Sequence, residues 1–255
     1  MKNIITSACL SLALICGSVV AQPIAHPSAF TPEQIKQLDT IIHDYIVKNP
    51  NVLVEASQTL QMQQQQKQQT EAMSSIHENK AALFDNAQSP SVGNKAAPTI
   101  LVEFFDYQCG HCRAMAPTIE KLISEDKNLH VIFKELPIFG GVSDYAAKAA
   151  LAATKQPGNK YYAFHNMLLT STTSLSKESI MDMAKKAGLN IDTLNKDMDS
   201  PDIQKQLHDN VELAQALKIM GTPTFVISNK AQTKFEYIPG AVSGEELKVE
   251  MKKVQ

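Results

Sequence analysis

The Cys-Gly-His-Cys sequence at residues 109–112 constrains this chain more than any other feature. It is preceded by an apolar, β-rich run, TILVEFFDYQ, which predicts a buried strand. It is followed by a sequence with apolar residues on one helical face, which predicts a helix. The two cysteines therefore lie at a strand-to-helix turn, with Cys109 at the end of the strand and Cys112 in the first helical turn.

The start of a helix favours a negatively charged sulfur. Its first amides have no partner within the helix, and the helix dipole is positive at this end. A thiolate at Cys109 is therefore stabilised, and a protonated His111 adds a further favourable charge. We expect Cys109, at the exposed edge, to exchange with a substrate disulfide. Cys112, more buried, then resolves the mixed disulfide.

Three other roles for the two cysteines have less support from the sequence than redox activity. A structural disulfide across two residues closes a very small loop and constrains little of the unfolded chain. Zinc needs four ligands, and the only other cysteines, Cys9 and Cys16, lie in a segment whose sequence predicts removal on export. Covalent haem needs a histidine where Arg113 stands. The sequence therefore predicts a redox-active pair with no metal and no other cofactor.

The first residues predict export. They read MKNIITSACLSLALICGSVVAQP, with one lysine, a short apolar run and small residues before Gln22. This pattern is typical of a secretory signal peptide at residues 1–21. Acylation of Cys16 is an alternative, but the bulky Ile15 before it disfavours a lipoprotein. Removal of the signal leaves two cysteines in a compartment that oxidises thiols.

Composition sets the outer bounds. The chain has 255 residues, of which 44% are hydrophobic and 20% charged, so a packed core is expected. The formal net charge of −2 gives no general attraction to nucleic acid, and we expect no nucleic-acid partner.

Residues 22–85 predict a helical region. Thr31, Pro32 and Gln34 form a helix-start signal, and an apolar stripe from Ile35 follows. A second helix is expected over 50–84, through the glutamine-rich tract QMQQQQKQQ, although a disordered tract is the alternative. Such a rod would be about 50 Å long and cannot bury its own stripe. It indicates a second copy of the chain, unless the stripe packs on the rest of the molecule.

The remainder divides into a linker and one domain. Residues 86–98 have the composition of a linker. Residues 99–255 then predict the order β-α-β, a helical block over about 143–218, and β-β-α. This alternation indicates an α/β domain.

The segments VEFFDYQCGHC, FKELPIFGG and GTPTFVI together resemble the DsbA-type thiol–disulfide oxidoreductases of the bacterial envelope. More narrowly, the chain is similar to a homodimeric subgroup that includes the Com-type, outer-membrane-associated antigens. The resemblance implies a thioredoxin fold with an inserted helical block, preceded by an N-terminal helical dimerisation region.

The resemblance also assigns roles around the cysteines. Pro223 is implied to be a cis-proline packed against the pair, and Thr222 before it offers its backbone to a substrate peptide. Gly110 and His111 stand between the cysteines, as in eukaryotic disulfide isomerases, whereas strong oxidases of the family favour a proline there. This departure favours isomerase or mixed activity.

Two charged residues on the strands complete the implied site. Glu103, six residues before Cys109, matches a buried acid of the family that relays a proton to or from Cys112. Lys134 is a candidate partner for Glu103. The alternative for both is an ion pair with a structural role at the strand ends.

The implied partners are unfolded or misoxidised envelope proteins, a membrane redox partner that recycles the site, and a second copy of the chain. The implied location is the periplasm, with outer-membrane association in some relatives. Two other functions stay open: a non-catalytic structural or adhesive envelope protein, and a holdase chaperone on the same scaffold.

Overall fold

The computed structural model describes residues 30–255, so the predicted signal peptide lies outside the described residues. The helices are α1 (Pro32–Lys48), α2 (Asn51–Glu78), α3 (Lys80–Phe84), α4 (Gly110–Glu125), α5 (Val142–Ala153), α6 (Tyr161–Leu169), α7 (Lys177–Lys186), α8 (Ile191–Met198), α9 (Pro201–Ala216) and α10 (Gly244–Lys253). The strands are β1 (Ser91–Gly93), β2 (Thr99–Phe105), β3 (Leu129–Glu135), β4 (Thr224–Asn229) and β5 (Phe235–Pro239).

The strands form one mixed sheet in the order β1-β3-β2-β4-β5. The central pair, β2 and β3, is parallel, and the other neighbours are antiparallel. All of α5 to α9 lies between β3 and β4 in the chain. The predicted α/β domain with an inserted helical block is therefore confirmed.

Every residue of β2 is buried, because helices cover both faces of the sheet. Successive side chains of a strand point to opposite faces. Leu101 and Phe105 pack on the face that holds α4 and most of the inserted helices, whereas Val102 and Phe104 pack on the face that holds α3 and part of α9. Glu103 alternates with Val102 and Phe104, so its side chain points to the same face as Leu101 and Phe105, the face that holds α4.

The first helix forms as its sequence predicts. The Thr31 hydroxyl accepts a hydrogen bond from the Gln34 amide, the Gln34 side chain accepts one from the Thr31 amide, and Pro32 occupies the first turn. No residue of α1 is buried, although Ile42 and its apolar neighbours share one face. The stripe therefore forms without a partner among the described residues.

The chain divides into two compact units, residues 1–59 and 60–255, and the division falls inside α2. Within the second unit, Ala72, Ile76, Leu83 and Phe84 are buried. The later part of the region expected to dimerise therefore packs on the sheet domain, and the division falls well before residue 85.

Three local expectations are corrected. The single helix expected over 50–84 is interrupted at Asn79. Helix α8 was not expected as a separate element. The expected linker at 86–98 contains β1, which pairs with β3 through Val92 opposite Val131. Its three residues are too few to show a period, and Gly93, whose φ is +88°, resembles a turn residue.

Among residues 30–255, no helix combines the length and the apolarity that a bilayer crossing requires.

Candidate active site

The Cys-Gly-His-Cys segment forms the start of α4, as expected. Cys109 is the N-cap residue, with extended backbone, and Gly110 is the first helical residue. The Cys109 amide donates to the Asp106 carbonyl at 3.1 Å, and the Cys109 carbonyl accepts from the Arg113 amide at 3.0 Å. These bonds hold the first thiol at the positive end of the helix, where free amides favour an anion.

Both cysteines are free thiols in this structure. Cys109 is only 5% exposed, whereas the sequence led us to expect it at an exposed edge; Cys112 is fully buried. The loop before β4 covers Cys109, since the Cys109 Sγ donates a hydrogen bond to the Thr222 carbonyl of this loop at 3.2 Å. The expected order of accessibility, Cys109 before Cys112, is nevertheless present.

The Thr222–Pro223 peptide bond is cis, as the resemblance implied. Two hydrogen bonds fix this loop. The Thr224 hydroxyl donates to the Gly221 carbonyl at 2.8 Å, and the Gly240 amide donates to the Pro223 carbonyl at 2.8 Å. The Thr222 carbonyl is thereby held in front of the first thiol.

Gly110 and His111 lie on the outer side of the first helical turn, and both are exposed. A Cβ atom added at Gly110 would meet no atom within 4 Å. The outer side of this turn therefore carries no steric bulk at Gly110.

Burial raises the pKa of the Cys112 thiol. The Asp106 backbone and the Thr222 hydroxyl oppose this rise in pKa, whereas charges at Glu103 and Cys109 add to it. The Thr222 Oγ1 is buried beside this thiol, and no atom of the described residues lies at hydrogen-bond distance and angle from it. Cys112 thus needs a base nearby before it can act as a nucleophile.

Glu103 is the residue that the resemblance implies as that base. It lies on the α4 face of β2, it is buried, and its Oε1 has no hydrogen-bond partner among the described residues. Burial raises the pKa of Glu103 to about 8. A carboxyl group with such a pKa exchanges protons near neutral pH.

The expected pairing of Lys134 with Glu103 is wrong. The register sets Glu103 opposite Phe133, so Lys134 points to the other face of the sheet. There its Nζ donates to the Ala82 carbonyl at 2.8 Å and to the Ser89 hydroxyl at 2.7 Å. Lys134 is therefore a buried anchor for the segment around α3 and lies apart from the thiols.

Sequence reasoning missed Asp106. Its carboxylate accepts hydrogen bonds from the Gln108 amide at 2.7 Å, the Phe139 amide at 3.1 Å and the Ser143 hydroxyl at 2.6 Å. It thereby fixes the turn that delivers Cys109 to α4. An aspartate directly after a strand, two residues before an ordered turn, is the available signal.

The sequence alone assigns Arg113 no role in the site. Its guanidinium donates to the Leu169 carbonyl at 3.3 Å and to the Ser171 carbonyl. This side chain ties the first turn of α4 to the end of α6, so it orients the helix that carries both cysteines.

A buried polar cluster lies on the same face of the sheet. The Tyr107 hydroxyl is 3.1 Å from the His165 Nδ1, and the Tyr161 hydroxyl donates to the Glu135 carboxylate at 2.6 Å. Burial lowers the pKa of His165 to about 3, so this histidine is neutral at physiological pH.

Among residues 30–255, no group of three or more histidine, cysteine or acidic side chains is arranged to hold a metal ion. The pair itself supplies the redox chemistry, since two thiols release two electrons when they form a disulfide.

A dithiol at the start of a helix, facing a cis-proline on a mixed sheet, defines a thioredoxin-like site for thiol–disulfide exchange. A family model, the DSBA-like thioredoxin domain, matches residues 100–252, and the chain belongs to this family of thiol–disulfide oxidoreductases. A second model, the N-terminal domain of the copper resistance protein ScsC, matches residues 34–67.

Individual relatives agree. The probable disulfide bond formation protein D of Bacillus anthracis is 26% identical over 176 residues, covering 64% of this chain and 81% of the relative. BcfH of Salmonella enterica Typhimurium is 31% identical, with a TM-score of 0.73 over 87% of this chain and 96% of that one. Proteus mirabilis ScsC in a transitional conformation is 32% identical, with a TM-score of 0.62 over 88% and 96%.

Proposed function

We propose that this chain is an exported enzyme that forms and isomerises disulfides in envelope proteins through Cys109 and Cys112. The observation that carries the proposal is the contact between the Cys109 Sγ and the Thr222 carbonyl, at 3.2 Å, at the start of α4. It supports a site in which one thiol faces incoming polypeptide and the second lies behind it.

The reaction follows from this order. The Cys109 thiolate attacks a substrate disulfide, and one substrate sulfur leaves as a thiolate while a Cys109–substrate disulfide forms. Glu103, as a carboxylate, accepts the proton of Cys112. The Cys112 thiolate then attacks the Cys109 sulfur and releases the reduced substrate. Oxidation of a substrate dithiol is the reverse, and a membrane redox partner removes the two electrons.

Isomerisation needs no net electron transfer, because the first intermediate can also be resolved by another substrate thiol. Gly110 and His111 between the cysteines support a share of isomerase activity alongside oxidation. Two assays separate them: recovery of scrambled ribonuclease for isomerisation, and recovery of reduced, unfolded ribonuclease for oxidation. Cys109→Ser is expected to abolish both, and full activity in this variant would refute the proposal.

The site residues are proposed to act as follows. Cys109 and Cys112 are the redox pair, His111 supports the Cys109 thiolate, and the backbone of Thr222 with Pro223 receives the substrate chain. The state of the pair in living cells measures the balance of activities: mostly oxidised indicates an oxidase, mostly reduced an isomerase, and a mixture both.

The signal-peptide pattern of residues 1–21 supports a periplasmic location. Cell fractionation tests it, and a pool in the outer-membrane fraction would support peripheral attachment there.

The exposed apolar face of α1 supports self-association, in the simplest form a homodimer. Leu38 and Ile42 are one turn apart and both are exposed. We expect light scattering to give twice the chain mass, and Leu38→Glu with Ile42→Glu to give one chain mass. Equal masses for both proteins would contradict this assignment, and a higher multiple would replace the dimer by a larger assembly.

A further inference from the structure

A groove of about 900 Å³ runs from the active-site loop along the edge of the sheet. It begins at Thr222 and Pro223 and continues beside β5, with the later part of α2 on one side and α10 on the other. This volume lies in the range of binding clefts in proteins. Because Thr222 also accepts the hydrogen bond of Cys109, the groove is continuous with the proposed reaction centre.

The groove lies at the edge of β5 and not over one of its faces. Its lining includes the consecutive residues Glu236, Tyr237, Ile238 and Pro239. Alternate residues of a strand point to opposite faces, so a cavity that touches them all must pass the strand's edge. Among the described residues, β5 pairs only with β4 and is the last strand of the sheet. An edge of this kind can accept an extended polypeptide as an added strand.

The α10 side of the groove is acidic. Glu250 pairs with Lys253 at 2.7 Å. The Glu246 carboxylate accepts hydrogen bonds from the Ser243 amide and hydroxyl, both at 2.7 Å, but neither Glu236 nor Glu246 forms an ion pair within 4 Å among the described residues. Burial raises the pKa of Glu236, and the nearby Glu250 adds to this rise although Lys253 opposes it. A cationic side chain in the groove would supply the charge that these carboxylates lack.

The α2 side carries no net charge and is well anchored. Gln65, Gln68 and Gln69 line it, and each side-chain amide can both donate and accept a hydrogen bond. The Glu71 carboxylate pairs with the Lys218 Nζ at 2.6 Å, which ties this part of α2 to the loop before Thr222. At the mouth, Met220 is 91% exposed and offers an apolar contact.

We propose that this groove binds an extended segment of substrate polypeptide as an additional strand on β5, with a basic side chain of the segment facing Glu236 and Glu246. The inference rests on the proposed function and names its substrate class: unfolded segments that carry lysine or arginine a few residues from the reacting cysteine.

The test uses the full chain with Cys112→Ser, so that the first intermediate accumulates. The probes are peptides of about ten residues, long enough for one strand. Each carries one cysteine in a mixed disulfide with thionitrobenzoate. The Cys109 thiolate attacks the peptide sulfur, the Cys109–peptide disulfide forms, and coloured thionitrobenzoate leaves because it is the better leaving group. The additional variant Cys109→Ser in the same chain measures the background.

Three peptides differ only in the residues beside the cysteine: lysines, glutamines or glutamates. We expect the lysine peptide to react about two- to fivefold faster than the glutamate peptide, as one or two partly exposed charge pairs would give. Glu236→Gln with Glu246→Gln should remove this preference. Glu246→Gln retains the helix cap, since glutamine also serves at that position. Asp182→Asn, at an exposed position of α7, is the matched control and should keep the preference.

A second series tests strand addition itself. Peptides methylated on alternate backbone nitrogens lose the hydrogen-bond donors of one edge of the strand. Two peptides, methylated at the odd-numbered or at the even-numbered residues, represent the two phases of this pattern. One phase should react more slowly, and the other should react at a rate near that of the unmethylated peptide. Equal rates for the two phases, or equal rates for all three charge variants, would overturn the inference. A groove filled by a second copy of the chain would give that same result.

The two proposals fail differently. If the peptides react well above background but without preference for charge or phase, the groove inference is wrong and disulfide exchange stands. If no peptide reacts above background, the proposed function is wrong and the groove inference falls with it.

Discussion

Two helices of the described chain, α1 and α4, use apolar residues in opposite ways. In α1, Ile42 and its neighbours form a regular stripe, and none of its residues is buried. In α4, a stripe of the same period that includes Ile119 and Leu122 is buried against the sheet. The periodic pattern therefore predicts a helix in both regions, but burial follows only where the chain itself supplies a second surface.

This contrast separates folding from assembly. The unit at 60–255 contains both thiols and the buried apolar clusters on both faces of the sheet, so its stability and its chemistry are expected to be properties of one chain. The unit at 1–59 presents an exposed apolar face within its described part, and such faces mark interaction sites. Matched substitutions in the two regions test whether this division is real.

The largest expected effect is in the core. Phe133 is fully buried and contacts the rings of Phe105, Tyr162 and His165. Phe133→Ala should lower the free energy of unfolding by about 3–5 kcal/mol, because it removes apolar contacts and leaves a cavity. Urea unfolding at low protein concentration measures this change.

Ile42→Ala is the matched substitution in α1, where the side chain is 54% exposed. It should change the free energy of unfolding of the single chain by less than about 0.5 kcal/mol, while weakening self-association. A loss in Ile42→Ala as large as that in Phe133→Ala would break the comparison, since it would show that α1 is part of the same cooperative core.

An effect that is smaller at each pH unit is expected from the buried acid on β2. Because burial raises the pKa of Glu103 from 4.5 to about 8, the folded chain keeps a proton that the unfolded chain loses. The stability from this group is fully present below pH 4.5 and is lost as the pH rises through 8. Across that window the difference between the wild type and Glu103→Gln should fall by up to about 1.4 kcal/mol per pH unit.

Taking the difference between the two proteins removes other groups that titrate in the same window, such as Glu135, whose pKa burial raises to about 7. Unfolding curves at several pH values between 5 and 8 give the result. Parallel stability curves for wild type and Glu103→Gln would show that Glu103 does not retain its proton on folding.

Within the catalytic unit, the smallest expected effect concerns its part of α2. Glu71 and Lys218 form an ion pair at 2.6 Å, with side chains 37% and 59% exposed. Solvent screens such a pair, so Glu71→Gln should cost less than about 1 kcal/mol. Glu55→Gln, at an exposed position of α2 in the first unit, is the control. A cost near that of Phe133→Ala would show that this anchor, and not burial of Ile76, holds α2 to the domain.

Much of the fold follows from local signals. The helix-start signal at Thr31 begins α1 where the sequence predicts, and the apolar runs of β2, β3 and β4 form buried strands. Edge strand β1 and helix α8 could not be predicted in this way, because each is short and is stabilised by contacts with residues distant in sequence.

The features of the site also divide into those set by adjacent residues and those set by residues distant in the chain. The position of Cys109 and Cys112 at the helix start follows from adjacent residues and was predictable. The false pairing of Lys134 with Glu103 arose because it depends on the register of β2 and β3, and a shift of one residue moves a side chain to the opposite face. The cover over Cys109 by Thr222 likewise joins residues far apart in the chain.

The most direct test of the account is the location of the trapped substrate sulfur. Cys112→Ser should accumulate a disulfide between substrate and Cys109, identified by mass spectrometry of the digested intermediate under non-reducing conditions. Cys109→Ser should accumulate almost none, because Cys112 is fully buried. Equal trapping in the two variants, or a substrate disulfide found on Cys112, would contradict the assignment of Cys109 as the attacking thiol.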